Sequence, residues 1–294
     1  MNKDFSGLHT ALVTPFNYDK SIDYKSLAGL IEEQIEYADG IVVLGTTGES
    51  PTIDDSEFRK ILDLAVKTAK GYAKIIVGTG SNNTVSTQNK SKLAEDLGAD
   101  GILCVNPYYN KPTQEGMYQH FSCVAESVNI PVILYNIKGR TAVNLETNTL
   151  NRLLVHKNIV GIKEASGDLI QIMDVINNTD SSFHIMSGDD SLTYPIMCLG
   201  GHGVISVISN IFPRHMKDMI TNINARDFNA AKSIHYKLHD LMKILLSVSS
   251  NPIPVKTILS HLGKIKEEFR LPLCKLSTNQ KDILIKSYEQ HSNE

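Results

Sequence analysis

A lysine, several tyrosine phenols and a group of hydroxyls stand at the ends of apolar runs in this chain, a set suited to an amine nucleophile with proton-transfer partners. Lys163 closes the run Ile159-Val160-Gly161-Ile162. A lysine projecting from an apolar wall is desolvated, which disfavours the ammonium, lowers the pKa and yields a neutral amine able to attack a ketone. The competing reading is a strand-end lysine that reaches water or pairs with Glu164. Tyr135 ends a second run, where its hydroxyl could shuttle protons beside the amine or simply bond a backbone group from a buried position. Arg140 follows in Lys138-Gly139-Arg140-Thr141, placed to clamp a carboxylate through two N–H groups or to remain a solvated loop charge.

Two further segments carry polar groups. Gly45-Thr46-Thr47-Gly48-Glu49 offers close backbone approach, two hydroxyls and free N–H groups suited to a carboxylate or phosphate, although a plain strand-to-helix turn has the same composition. Asn106-Pro107-Tyr108-Tyr109-Asn110 places two phenols in one loop. His235 and His239 have the i, i+4 spacing of metal ligands but lack the glutamate of the HExxH pattern, so a solvated helix face is expected. Gly200-Gly201-His202-Gly203 precedes a strand, the wrong end for a barrel phosphate site. Cys104, Cys123, Cys198 and Cys274 are scattered, with no CxxC pair, and read as reduced, buried packing residues.

These residues need a scaffold. Short apolar β-branched runs at 8–14, 40–45, 74–78, 101–105, 131–136, 159–164, 183–188 and 203–207 alternate with amphipathic segments such as 23–38, 54–70, 84–97 and 114–128. Eight strands, each followed by a helix, predict an α/β fold of the closed (β/α)8 barrel type, whose site lies at the C-terminal ends of its strands. An open doubly wound sheet shares this local pattern, but Gly78-Thr79-Gly80 continues as Ser-Asn-Asn and lacks the third glycine of a dinucleotide fingerprint. After residue 210 the strands stop. Helical patterns at 214–223, 225–247, 252–262 and 278–290 predict a catalytic barrel over 1–224 with a C-terminal helical region over 225–294.

Composition sets the outer limits. The 294 residues are 41% hydrophobic and 21% charged with a net charge of −3, ordinary for a globular protein and without an electrostatic drive toward nucleic acid or anionic membrane. MNKDFSGLHT lacks the apolar run of a signal peptide, and no run approaches the roughly 20 residues of a membrane span, so a cytoplasmic protein is expected.

The segments ALVTPF (11–16), GTTGES (45–50), VNPYYNKPTQEG (105–116), ILYN (133–136), GIKEASGD (161–168), SGDD (187–190), GGHGVISV (200–207) and NPIPVK (251–256) together resemble the dihydrodipicolinate synthase family of the N-acetylneuraminate lyase superfamily over nearly the whole chain. GTTGES with GIKEASGD marks the superfamily, and PYYNKPTQEG with Arg140 and NPIPVK favours the synthases within it. The resemblance implies a Schiff base between Lys163 and pyruvate, condensation with L-aspartate 4-semialdehyde, and no metal or organic cofactor. It implies a proton relay of Tyr135, Thr46 and Tyr109, the last reaching a neighbouring subunit's site in a homo-oligomer, either tetramer or dimer. It further implies Thr47 on the pyruvate carboxylate, Arg140 on the second substrate's carboxylate, and the Ile205 carbonyl shaping the pocket. One local departure is Lys138, where family members often carry proline.

Three rivals remain at the level of sequence. A Schiff-base lyase for sialic or keto-deoxy sugar acids is opposed by Arg140, which suits a second small carboxylate better than a polyol. A metal-dependent barrel hydrolase is opposed by strand ends that present no histidine cluster. A catalytically silent barrel is opposed by the intact Lys163, Tyr135 and Thr46. The resemblance also bears on regulation, since lysine-inhibited relatives typically carry histidine at the positions of Asp55 and Phe58 and glutamate at Ser86. An ammonium effector would find poorer partners here.

Overall fold

The computed structural model describes residues 4–292. Eight parallel strands close into a barrel in chain order: β1 (Gly7–Ala11), β2 (Gly40–Val43), β3 (Lys74–Gly78), β4 (Gly101–Val105), β5 (Val132–Asn136), β6 (Ile159–Glu164), β7 (His184–Ser187) and β8 (Gly203–Ser206). β1 pairs with both β2 and β8, so no edge is left open. The expected closed barrel is therefore present, each strand falling within or close to its expected run.

The continuous apolar strands divide by their two-residue period. Ala11, Val42, Ile76, Leu103, Ile133, Met186 and Ile205 form one cluster in the barrel interior. Their neighbours, among them Leu12, Ile41, Ile75, Ile102, Leu134, Ile162 and Val204, pack outward beneath the helices. One irregularity matters for the site. Val132 pairs with Ile159 but Ile133 pairs with Gly161, so β6 carries one extra residue, after which Tyr135 lies opposite Lys163.

Several of the helices start where short polar side chains satisfy the free N–H groups of their first turns. Asp54 accepts from the backbone N–H groups of Ser56 and Glu57 at the head of helix Asp55–Ala69, and the Glu57 carboxylate returns to the Asp54 N–H. Asn83, Thr113 and Asp168 cap the helices Thr84–Asp96, Gln114–Glu126 and Leu169–Asn178 in the same way.

The tail forms helices Pro213–Asn224, Phe228–Ser247, Ile253–His261 and Thr278–Ser292. Ion pairs tie it to the first two barrel helices: Lys264 to Glu33, Lys266 to Asp23, and Arg270 to Glu57 through two bonds of 2.5 and 2.7 Å. Helix Ile253–His261 is buried over most of its length.

Two expectations are corrected. Only Cys104 is buried; Cys123, Cys198 and Cys274 are exposed, because apolar neighbours in sequence do not put a helix or coil position on the inner face. His235 is buried against the Tyr194 ring, 5.6 Å between centroids, on the inner stripe of its helix, so it is not part of a solvated face. Among the described residues no cluster of three or more His, Cys, Asp or Glu could hold a metal, and no helix is long and apolar enough to cross a membrane.

Candidate active site

Lys163 points into the barrel at its C-terminal mouth. It is only 5% exposed, and its Nζ lies 4.4 Å from the centroid of the Tyr135 ring. Burial pushes its pKa down to about 8, with Asp190 opposing that shift and the Arg140 guanidinium adding to it. A buried amine with such a pKa carries a sizeable neutral fraction near neutral pH, the form that adds to a carbonyl. Glu164, the alternative partner, faces the other way. Its carboxylate accepts from the Ser166 N–H and the Asn136 side chain behind the barrel wall, since successive strand residues alternate faces.

Room for the lysine is provided by Gly188. A Cβ there would lie 2.7 Å from the Ala165 Cβ and 3.0 Å from the Lys163 Cε. Tyr135 is equally buried, its phenol pushed up to about 12 by desolvation and drawn back by Arg140 and by a hydrogen bond with Thr46. Tyr135 and Thr46 therefore form a hydroxyl pair beside the amine. Ile205 closes the interior cluster beneath them.

Thr46 and Thr47 sit on the turn that follows β2. Leu44 and Glu49 bracket this turn with φ of 58° and 55°, and Gly78 makes room for it, because a Cβ at 78 would meet the Leu44 carbonyl oxygen at 2.2 Å. Thr47 is buried, and its hydroxyl accepts from the Asn251 side chain at 2.9 Å. Arg140 lies on the single turn Lys138–Thr141 and donates to the Asn251 carbonyl at 3.1 Å. Thr46, Tyr108 and Arg140 line a cavity of about 240 Å³ that continues to Phe58 and Lys90 and has no carboxylate among its lining residues.

Lys163, Tyr135, Thr46, Thr47, Arg140 and Ile205 are thus gathered at one end of the barrel. Tyr109 is the exception: it has φ 72° and stands 89% exposed on the surface of its own chain. Three contributors escaped the reading of the sequence as site residues. Asn251 comes from the tail and touches both Thr47 and Arg140. Asp190 accepts from the Val207 and Ile208 N–H groups at 3.0 and 2.9 Å and brings a carboxylate into the field of Lys163. Lys256 lies beneath the turn on Glu49. The motifs SGDD and NPIPVK held these residues, but nothing in their spacing tells which side chain turns toward the barrel.

Comparison with known proteins agrees with this geometry. The model of the Dihydrodipicolinate synthetase family matches residues 4–291. A 4-hydroxy-tetrahydrodipicolinate synthase from Protochlamydia amoebophila is 46% identical over 283 residues, 95% of this chain and 94% of the relative. The crystal structure of dihydrodipicolinate synthase from Aquifex aeolicus superposes with a TM-score of 0.95 at 44% identity, covering 98% of each chain. The chloride-inhibited dihydrodipicolinate synthase from Acinetobacter baumannii, a complex with pyruvate, superposes with a TM-score of 0.96 at 41% identity over 98% of this chain and 99% of that one. With a family match over almost its full length and a relative of this identity, the chain belongs to the dihydrodipicolinate synthetase family.

Proposed function

We propose that this protein is a lyase of the class I aldolase type that condenses pyruvate with L-aspartate 4-semialdehyde to 4-hydroxy-tetrahydrodipicolinate, a step toward lysine and diaminopimelate. The observation that carries this reading is Lys163, a buried amine with its pKa lowered to about 8 and set beside the Tyr135 ring.

The neutral amine adds to the pyruvate ketone and expels water, leaving a protonated imine. That imine is an electron sink, so the pyruvate methyl group gives up a proton to form an enamine. The enamine carbon attacks the aldehyde, and the carbonyl oxygen gains a proton. The amine of the second substrate then attacks the imine carbon, closes the ring and releases Lys163.

Each remaining candidate has a place in this sequence. Tyr135 and Thr46 move the protons, with Tyr109 from a neighbouring subunit completing the relay. Thr47 holds the pyruvate carboxylate, Arg140 the carboxylate of the second substrate, and the Ile205 carbonyl shapes the pocket. The exposure of Tyr109 supports a homo-oligomer, dimer or tetramer, in which that side chain finds its partner. Residues 225–294 act as an appendage to a catalytic barrel over 1–224, and the protein works in the cytoplasm without a metal or organic cofactor.

A coupled assay with pyruvate plus aspartate semialdehyde, run against cleavage of N-acetylneuraminate, tests the reading. Turnover of the first pair alone is expected. Cleavage of the sialic acid without condensation would replace it with the lyase reading.

A further inference from the structure

Glu49 and Lys256 form an ion pair of 2.5 Å, with the glutamate 2% exposed and the lysine wholly buried. The second Glu49 oxygen accepts from the Arg270 backbone N–H at 3.3 Å. The Lys256 ammonium sits over the rings of Phe16 and Phe269, 4.3 and 4.9 Å from their centroids. Apolar residues in such a place would commonly be as stabilising as the ion pair or more so, because both charges lose their hydration. A role in holding one conformation accounts for the pair better than stability alone.

The conformation in question is that of the turn carrying two candidate site residues. The Gly48 N–H donates to the Gly45 carbonyl and the Glu49 N–H to the Thr46 carbonyl, both at 3.1 Å, so Glu49 moves with Thr46 as one tight unit. Glu49 is left-handed at φ 55°, a backbone state that a non-glycine residue keeps only where its surroundings enforce it. The tail supplies a second hold two residues earlier in the turn, through the Asn251 bond to Thr47.

We propose that Glu49 and Lys256 are positioning residues for the condensation: their ion pair anchors the 45–49 turn to the tail and thereby fixes the Thr46 and Thr47 hydroxyls against the pyruvate site. This rests on the proposed function for its consequence in catalysis, and on geometry alone for the anchoring of the turn. Neither side chain touches substrate.

The test compares Lys256→Met, Glu49→Gln and the double variant in the full-length protein. Lys256→Met alone leaves a buried carboxylate without its partner and lowers Tm, whereas the double variant removes both charges and recovers most of that loss. Even so, the folded double variant is expected to show kcat lower by about 10- to 100-fold, a raised KM for pyruvate, and amide exchange in residues 44–50 faster by about tenfold, with exchange in 159–163 unchanged. A folded double variant that matches the wild type within about twofold in either kcat or exchange of 44–50 would overturn the proposal. Absence of condensation by the wild type would instead defeat the proposed function, and the exchange measurement would still decide whether the pair anchors the turn.

Discussion

Lys163 and Tyr135 are direct partners across β6 and β5, and this pairing brings the lysine amine to 4.4 Å from the tyrosine ring centroid. Neighbouring strand positions on the same face cannot avoid one another, so the amine and the phenol share one desolvated space. Burial acts oppositely on their charges, lowering the pKa of the lysine and raising that of the tyrosine, and both are thereby held toward their neutral forms.

The reactivity of Lys163 is expected to follow its titration. Borohydride added with pyruvate should leave a reduced adduct on the peptide that contains Lys163, and the trapping rate should rise with pH through about 8. Lys163→Arg should abolish trapping, because a guanidinium does not form the imine. Mass spectrometry that places the adduct on another lysine would remove the mechanism.

The same burial predicts a cost to stability. A lysine whose folded pKa lies below its unfolded value binds fewer protons when folded, so its contribution to stability rises with pH between about 8 and 10.5 and the penalty is fully present below 8. Lys163→Met is therefore expected to stabilise the protein at pH 7 by on the order of 3 kcal/mol while eliminating activity, and to lose that advantage as pH rises. Thermal unfolding of the two proteins at pH 7 and near pH 10 measures the difference.

Tyr135→Phe keeps the ring under the Lys163 amine and removes the hydroxyl paired with Thr46. Turnover should fall by about 10²–10⁴-fold, the range of a lost proton-transfer group, with much smaller loss of pyruvate binding. An equal loss in pyruvate affinity, measured by isothermal titration, would mean that the phenol binds substrate and does not relay protons.

Gly188→Ala tests the space reserved for the lysine. The added methyl meets the Ala165 Cβ and the Lys163 stem, so the amine must shift. Rate should fall by about 10-fold or more, with a stability loss of about 1–3 kcal/mol from overpacking. Slow borohydride trapping in a folded variant is the expected signature, and a normal trapping rate would show that the lysine stem adapts freely.

L-Lysine in the millimolar range is expected to leave activity essentially unchanged. Phe58 and Lys90 face the cavity beside Thr46, Lys90 with its Nζ 6.0 Å from the Phe58 ring centroid, and no carboxylate lines that space. An ammonium-bearing effector would meet a like charge without an anionic partner to offset its desolvation. Ser86 sits in the first turn of its helix, its N–H bonded to the Asn83 cap, and Asp55 remains exposed. A lysine titration of the coupled assay checks this, and clear partial inhibition below a millimolar would show that the altered site still binds.

Much of the fold is local in origin and was therefore legible along the chain. Eight apolar β-branched runs spaced by amphipathic helices carry their two periods in the order of residues, which is why β3, β4 and β6 coincide with the expected ranges. The chemistry at strand ends is also local, since Lys163, Tyr135 and the Gly45–Glu49 turn lie where apolar runs stop. Which way those groups face is a different matter. Lys163 meets Tyr135 only after β6 takes up one extra residue against β5, and that register depends on contacts between strands. The burial of His235 and the exposure of Cys123 likewise depend on how a helix is rotated against its neighbours. Long-range polar contacts were the least legible of all. Lys256 and Glu49 are 207 residues apart, and Asn251 and Thr47 are 204 apart, so no spacing rule could join them. Periodicity determined the elements because it is a property of neighbouring residues, whereas closure of the barrel and docking of the tail decided which side chains share the space at its mouth.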